Sequence, residues 1–280
     1  MKKIEALLIS LFLLVFIFIP MSMIFADELE KIEKNGVSII KPPLKVEGKV
    51  CIAGNTSKEK IKILVRKGNK QIWYNVDLND DKKFEKTLWL TEGKGEYTIS
   101  VMVHEYDRKY SYGPTFKVIN TLELDKYLTP SKDVESDAPE IITLAKKLTE
   151  GKNSDIEKMR AIYEWVVKNI EYDFEKYSEH QRGNYNNVYG ALNTLKTRKG
   201  VCYDFAALTA ALGRAAGVKV KLVKGEGKLG DFQGLHAWNE FFSEEENKWI
   251  NIDTTFGAVG EEEYFDNEYF NRNHFKMEEY

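Results

Sequence analysis

The spacing of apolar residues changes along the chain, and this change constrains the fold more than any other feature. Over residues 35–120, β-branched and aromatic residues recur in short, partly alternating runs that are separated by turn-forming residues. Runs of this length and spacing are typical of an all-β domain, and they favour a small immunoglobulin-like β-sandwich. From Pro139 onward, the apolar residues instead follow helical spacing. The segment 121–138 has no clear period, and we expect it to be the linker between two domains.

The second predicted domain, residues 139–280, has helices followed by strands. A short helix is predicted to end at Gly151. A longer helix follows Ser154, which forms a capping-box pattern with Glu157. The asparagine-containing segment 174–188 is predicted to be a loop, and strand-like runs follow later in the chain. Helices followed by strands argue for an α+β fold.

The first 26 residues are a separate element. Two lysines precede an apolar run, Pro20 interrupts that run, and the small residue Ala26 precedes Asp27. This is the pattern of a secretory signal peptide. The run is also long enough to span a bilayer, so an uncleaved N-terminal membrane anchor is the alternative. Both interpretations predict that the rest of the chain is extracytoplasmic, either secreted or at the cell surface.

Charge and cysteine content exclude some classes of partner and site. The formal net charge is −3 over 280 residues, and no basic excess indicates nucleic-acid binding. Cys51 and Cys202 are the two cysteines, too few and too far apart for a cysteine metal site, and no acidic run has calcium-loop spacing. We therefore predict no metal and no other cofactor. A disulfide joining two domains is disfavoured, and Cys51 is expected to be a small apolar core residue.

Cys202 stands at the start of the most regular helical pattern in the chain. Phe205, Leu208 and Leu212 fall on one face of a helix, and Gly217 fits a left-handed C-terminal stop. The unpaired N–H groups of a first helical turn, together with the helix dipole, would stabilise a thiolate at Cys202. Cys202 is therefore a candidate nucleophile, and a buried, unreactive cysteine is the alternative.

His236 and Asp253 are the candidate partners of this thiol. His236 begins a strand-like run after a glycine-rich segment that is predicted to be a loop, whereas His180 and His274 lie in polar surroundings and are expected to be solvated. If His236 lies opposite Asp253 in a hairpin with a four-residue turn at 243–246, their side chains share a face and are within reach of each other. A shift of one residue would place them on opposite faces.

Together these residues predict covalent catalysis. The Cys202 thiol would attack an amide carbonyl, His236 would take or share its proton and pass it to the leaving amine, and Asp253 would orient and stabilise the imidazole. Release of the thioester by water is hydrolysis, and release by an amine is crosslinking. Three aromatic residues near the site are candidate substrate-binding residues, with core packing as the alternative: Tyr203, Trp238 and Trp249.

The segments around these catalytic candidates resemble the transglutaminase-like superfamily, the papain-related group with the order Cys, His, Asp. The resemblance rests on KGVCYDFAALTAALGRAAGV around Cys202, LHAWNEF around His236 and WINIDTTFG around Asp253, and it covers roughly residues 140–257. It implies a papain-like α+β fold and amide acyl transfer without a cofactor. Members include crosslinkers, proteases, amidases and inactive copies, so the resemblance does not fix the reaction. The β-rich segment resembles the immunoglobulin-like domains that accompany such cores in secreted bacterial proteins.

The resulting hypothesis is an exported thiol enzyme that acts on peptide or side-chain amides. Its partner would be a peptide or protein substrate, with cell-wall and surface proteins as candidates. Nucleic acid is not expected, and a membrane is expected only through an uncleaved N-terminus. The alternative is a non-catalytic surface protein for binding or adhesion, with a degenerate second domain. The tail from Glu261 is expected to cover the edge of the domain rather than carry chemistry.

Overall fold

The computed structural model describes residues 30–184 and 187–280. The predicted signal peptide or anchor, residues 1–26, lies outside the described residues. Among the described residues, no helix has the length and apolar character needed to cross a membrane. Residues 31–280 form one compact unit.

The first part of this unit is built from strands. They are β1 (Lys31–Lys34), β2 (Val37–Ile40), β3 (Lys45–Val46), β4 (Lys49–Thr56), β5 (Ile61–Lys67), β6 (Lys70–Asn75), β7 (Lys83–Trp89), β8 (Gly95–Tyr106) and β9 (Lys109–Asn120). One sheet has the order β1-β2-β4-β7 and the other the order β3-β9-β8-β5-β6. Neighbouring strands are antiparallel except for the β3–β9 pair. The sheets share one apolar core, in which Ile52 of the first sheet joins Ile63 and Ile99 of the second. The more specific immunoglobulin-like assignment stays a prediction.

The position of Cys51 in this sheet corrects the expectation of a core residue. Cys51 lies on β4 between Val50 and Ile52, and because side chains alternate between the faces of a strand, these two neighbours enter the core while Cys51 is exposed. Its thiol lies 3.5 Å from a carboxylate oxygen of Glu85. Partial burial and this carboxylate raise the pKa of Cys51. Both cysteines lie within the described residues, and both are free thiols.

The second part mixes helices and strands. Its elements are α1 (Pro139–Thr149), α2 (Asp155–Asn169), β10 (Glu171–Tyr172), α3 (Phe174–Gln181), α4 (Ala191–Thr197), β11 (Lys199–Gly200), α5 (Cys202–Ala215), β12 (Val220–Leu229), β13 (Phe232–Ser243), β14 (Lys248–Ile252), α6 (Thr254–Val259), α7 (Glu268–Asn273) and β15 (His274–Glu279). Strands β14-β13-β12-β15 form an antiparallel sheet in that order. The glycine-rich segment before His236, predicted to be a loop, is instead the end of β12 and the start of β13.

Helix α5 is the centre of the second core. Phe205, Leu208 and Leu212 are fully buried, and Asn239 of β13 donates a hydrogen bond to the carbonyl of Ala206. The alanines of α5 let the sheet approach closely, because each adds little volume between the two layers. This packing fixes the start of α5 relative to β13, the strand that carries His236.

Two local signals read from the sequence are confirmed. Ser154 and Glu157 form a reciprocal capping box at the start of α2. Gly217 has a φ of 81° just after α5, and the N–H of Val218 bonds back to the carbonyl of Gly213. Both helix ends are therefore set by neighbours in the sequence.

The expectation of a loop over residues 174–188 is wrong in its first half, where α3 forms. Asp173 caps this helix by accepting the N–H of Lys176. The Lys176 ammonium forms a buried ion pair at 2.6 Å with Asp204 of α5. The anchor of α3 therefore lies in a distant helix, and a sequence pattern does not reveal such a contact.

The segment 121–138 contains an isolated bridge between Ser131 and Val134. It is held against α5 by Arg214, whose guanidinium donates to the carbonyl of Thr129 and to the hydroxyl of Ser131. This segment therefore packs on the helical core.

Candidate active site

Cys202 is the first residue of α5, and its side chain is half-buried. The carboxylate of Asp204 accepts the N–H of Val201 and so caps the helix just before the cysteine. A Cβ on Gly200 would lie 2.5 Å from the Cβ of Asp204, so only glycine allows this tight entry into the helix. The sequence around Cys202 therefore places its thiol at the positive end of a well-packed helix.

The hairpin that carries His236 and Asp253 is shifted by two residues from the predicted register. Ladder pairs run from Asn239–Ile252 to Ser243–Lys248, and the turn is residues 244–247. Direct opposition of His236 and Asp253 was therefore wrong, and Asp253 follows the end of β14. Because a shift of two residues conserves the face of every side chain, the predicted shared face is retained.

The side chains of His236 and Asp253 meet in the protein interior. His236 Nε2 donates a hydrogen bond of 2.6 Å to Asp253 Oδ2, and both side chains are almost fully buried. Cys202 lines the same cleft as His236, and it contributes to the raised pKa of the imidazole. Since Nε2 is engaged by Asp253, Nδ1 is the ring nitrogen left for the thiol. The structure thus brings together all three residues proposed as catalytic.

The charges of this group stabilise one another. Burial alone would lower the pKa of His236, but the charge and hydrogen bond of Asp253, with smaller contributions from Cys202, raise it to about 10. Burial alone would raise the pKa of Asp253, but His236 and His274 hold it well below its ordinary value of 3.8. The favoured state at neutral pH is therefore an imidazolium beside a carboxylate.

The two oxygens of Asp253 have separate roles. Oδ1 accepts the backbone N–H groups of Thr255 and Phe256 and so caps α6. Oδ2 is left for the imidazole of His236. The helix cap fixes the orientation of the Asp253 carboxylate, and the carboxylate in turn fixes the orientation of the His236 ring.

His274 is a fourth member of this group, and its position corrects the expectation of a solvated histidine. It ends α7 and begins β15, and its side chain is 1% exposed. Its Nε2 lies 2.8 Å from Asp253 Oδ2, the oxygen that also binds His236. Its Nδ1 lies 2.9 Å from the carbonyl of Phe270, and the two rings are stacked 3.9 Å apart. The tail after residue 261 therefore reaches the site, contrary to the expectation that it only covers an edge.

His236, Asp253 and His274 each have one possible ligand atom within 4.8 Å of the other two, a spacing that could also suit a metal ion. The Nε2 atoms of His236 and His274, however, both lie at the distance of a charge-assisted hydrogen bond from the same oxygen, Asp253 Oδ2. A metal ion with ligand distances of about 2.0–2.2 Å would require these contacts to open. We therefore interpret the group as a hydrogen-bond network.

A cleft of about 960 Å³ opens beside Cys202 and His236. Its walls are mostly apolar and aromatic, and residues not singled out in the sequence include Tyr172, Phe174, Tyr177, Phe232, Leu235 and Met277. Burial raises the pKa of Tyr172, which lines the cleft together with Cys202. These walls come from β10, α3, β13 and β15, distant parts of the chain, so local patterns could not assemble them.

Of the three aromatic residues predicted to bind substrate, Tyr203 lines the cleft. Its hydroxyl donates to Asp133 Oδ2 at 3.1 Å. Trp238 is 2% exposed and packs in the core against the rings of His236 and His274. It therefore contacts two residues of the site without lining the cleft. Trp249 packs against Tyr127 and Phe242 outside the cleft. For both tryptophans, the alternative of core packing fits the structure.

Residues 142–254 match the family model of the transglutaminase-like superfamily. This segment is a transglutaminase-like domain.

Kyphoscoliosis peptidase from Mus musculus is 32% identical to the chain over 125 residues, which are 41% of the chain and 18% of the mouse protein. The chain thus spans less than a fifth of the length of this relative. Two solved structures have low overall similarity to this chain. A candidate cysteine protease from Cytophaga hutchinsonii has 19% identity and a TM-score of 0.40, covering 85% of this chain and 72% of that one. Red sea bream transglutaminase has 12% identity and a TM-score of 0.34, and the match covers 79% of this chain and 50% of that one. The family model and the mouse relative carry the assignment.

The transglutaminase-like match contains Cys202, His236 and Asp253 but ends before the tail that carries His274. This match supports a thiol enzyme at the level of the superfamily.

Proposed function

We propose that the protein is an exported thiol enzyme that transfers or hydrolyses the acyl group of peptide or side-chain amides through Cys202, His236 and Asp253. The observation that carries this proposal is the buried hydrogen bond between His236 and Asp253, with His236 and Cys202 lining the same open cleft. Export is inferred from the N-terminal sequence alone.

In the first step, the Cys202 thiolate attacks the amide carbon, and a C–S bond forms. The carbonyl oxygen becomes an oxyanion, for which the backbone N–H of Cys202 is a donor candidate because first-turn N–H groups have no partner within the helix. The His236 imidazolium then gives the proton on Nδ1 to the amide nitrogen. The C–N bond breaks, the amine leaves, and a thioester remains on Cys202.

In the second step, water or an amine attacks the thioester while neutral His236 accepts a proton from the attacking group. The C–S bond breaks, and the thiolate–imidazolium pair is restored. Asp253 remains ionised throughout because its charge is held by buried hydrogen bonds.

The cleft favours substrates with apolar side chains beside the amide. Phe174, Leu235 and Met277 on its walls are each more than 60% exposed, and a bound apolar segment would remove this surface from water. Among exported proteins, those of the cell wall or cell surface are the proposed substrates.

The reactivity of Cys202 tests this proposal directly. Iodoacetamide alkylation at pH 6.5, followed by site-resolved mass spectrometry, compares Cys202 with Cys51 in the same molecule. Because the thiol pKa of Cys51 is raised, we expect Cys202 to react at least about tenfold faster. Equal rates would reject the enzyme and favour a binding or adhesion protein. Peptide cleavage and amine-probe incorporation, each compared with Cys202→Ala, then separate hydrolysis from crosslinking.

A further inference from the structure

His274 is held by two acceptors that cannot donate a proton. Its Nδ1 faces the carbonyl oxygen of Phe270 at 2.9 Å, and its Nε2 faces the Oδ2 of Asp253 at 2.8 Å. A carbonyl and an ionised carboxylate only accept hydrogen bonds, so both ring nitrogens must donate. An imidazole with protons on both nitrogens is a cation. The hydrogen-bond geometry therefore assigns a positive charge to His274.

This charge completes an electrically balanced site. A Cys202 thiolate, a His236 imidazolium and an Asp253 carboxylate sum to a net negative charge in a largely buried place. An uncompensated buried charge is costly, and a second cation removes that cost. His274 can supply this second cation because its Nε2 shares Asp253 Oδ2 with His236. The centres of the two imidazole rings are 5.7 Å apart.

Building on the proposed function, we propose that His274 is a positioning residue of the active site. As a buried imidazolium that shares Asp253 with His236, it balances the thiolate–carboxylate charge and keeps His236 able to release its proton to the leaving amine. Without this cation, Asp253 would hold the His236 proton alone and more tightly.

The elements packed around His274 leave few other charged groups that could take this role. Asp253 faces it from the β14–α6 junction and His236 from β13. Tyr264 faces it from the segment between α6 and α7, and the other contacting rings, Trp238, Phe256 and Phe270, are uncharged. Among these described contacts, His236 and His274 are therefore the two groups that can be cationic.

The size of the effect follows from the distance. With an effective dielectric constant of about 20, a unit charge 5.7 Å away changes a protonation equilibrium by about two pH units. Screening and relaxation reduce this value. Removing the charge of His274 should therefore move the pH profile of the site upward by on the order of one to two pH units.

The experiment measures the rate of Cys202 alkylation against pH, with a chelator present, in the wild type and three variants. His274→Gln keeps a donor near Asp253 but removes the charge, and we expect its profile to shift to higher pH. His274→Lys keeps a cation, and we expect its profile to return toward that of the wild type. His104→Gln is the matched control, because His104 is partly exposed on β8 and bonds to the carbonyl of Asp107.

A uniform loss of rate or stability in His274→Gln with unchanged midpoints would show a merely structural histidine and overturn the proposal. A shift in His274→Gln that His274→Lys does not reverse would also contradict the role of charge. Nitrogen-15 spectra of labelled histidine provide a second readout that needs no reactivity. They should show both nitrogens of His274 protonated at pH 7, and a neutral ring would reject the proposal. If wild-type Cys202 is unreactive while His274 is doubly protonated, the proposed function fails and the charge assignment stands.

Discussion

Replacement of Asp253 by Asn tests the electrostatic description of the site most directly. The amide oxygen of Asn can still accept the N–H groups of Thr255 and Phe256 that Asp253 Oδ1 caps. The amide nitrogen, however, would replace Oδ2 as the neighbour of His236 and His274 and would present donors to donors. Asp253→Asn therefore keeps the helix cap and removes the charge that holds the two imidazoles.

The expected loss of stability can be worked out in two ways. At about 1.4 kcal/mol per pH unit, a rise in the pKa of His236 from 6.5 to about 10 is worth up to about 5 kcal/mol. Breaking a buried charge pair by removing one partner costs about 3–5 kcal/mol in measured cases. We expect Asp253→Asn to lower the free energy of unfolding by a value in this range at pH 6.

The pH dependence has a definite sign. Because the folded pKa of His236 is raised, its stabilising effect is complete below about pH 6.5 and is lost as the pH rises toward 10. The lowered pKa of Asp253 makes its contribution complete above its ordinary value of 3.8 and lost in stronger acid. The stability difference between wild type and Asp253→Asn should therefore be largest between about pH 4 and 6.5 and shrink toward pH 10.

Urea unfolding at pH 6, 8 and 10 measures this difference. The matched control is Asp155→Asn, because the Asp155 carboxylate is also buried but accepts the N–H of Glu244 and pairs with Lys158. We expect the control to show no comparable narrowing over this pH range. A loss below about 1 kcal/mol at pH 6, or an equal loss at pH 6 and pH 10, would refute the coupling between His236 and Asp253.

Two further substitutions test how the walls of the site are held. Lys176→Met leaves Asp204 buried without its ion-pair partner, and we expect urea unfolding to show a loss of about 3–5 kcal/mol. Lys82→Met, in an exposed pair with Glu59, should cost less than about 1 kcal/mol. In Gly225→Ala, the new Cβ would lie 2.1 Å from the carbonyl oxygen of Phe275, and we expect a loss of at least about 1–3 kcal/mol together with slower Cys202 alkylation. Gly234→Ala, with its nearest atoms 3.8 Å away, should leave both measurements nearly unchanged. Equal effects within either pair of variants would contradict the packing described here.

The approach of His236 to Asp253 could be predicted because it depends mainly on the alternation of side chains. The predicted turn was one residue too early, since Asn247 adopts a φ of 48° and closes the turn at residues 244–247. This error moved the register by two residues, and the shared face survived because faces repeat every second residue. The face of a sheet on which a side chain lies can therefore be predicted more reliably than the residue directly opposite it.

The position of His274 could not be predicted, because nothing near it in the sequence requires burial. Asn271, Arg272 and Asn273 precede it, and polar neighbours normally indicate an exposed segment. Its burial results from the pairing of β15 with β12, where His274 lies opposite Gly227. Such a pairing joins segments distant in the sequence, and one histidine in a short polar segment gives no periodic signal for it. The same limit applied to α3, whose anchoring partner Asp204 lies in another helix.

The tail changes where the proposed catalytic unit should be considered to end. The transglutaminase-like match stops at residue 254, yet β15 pairs with β12 along the same stretch in which Gly225 and Gly227 pack against residues of the site. Met277 lines the cleft, and His274 binds Asp253. A chain cut at the matched boundary would expose the edge of β12 and leave Asp253 to His236 alone. The charge balance proposed for the thiolate therefore depends on residues outside the matched segment, and the smallest unit expected to retain the wild-type pH profile of Cys202 includes β15.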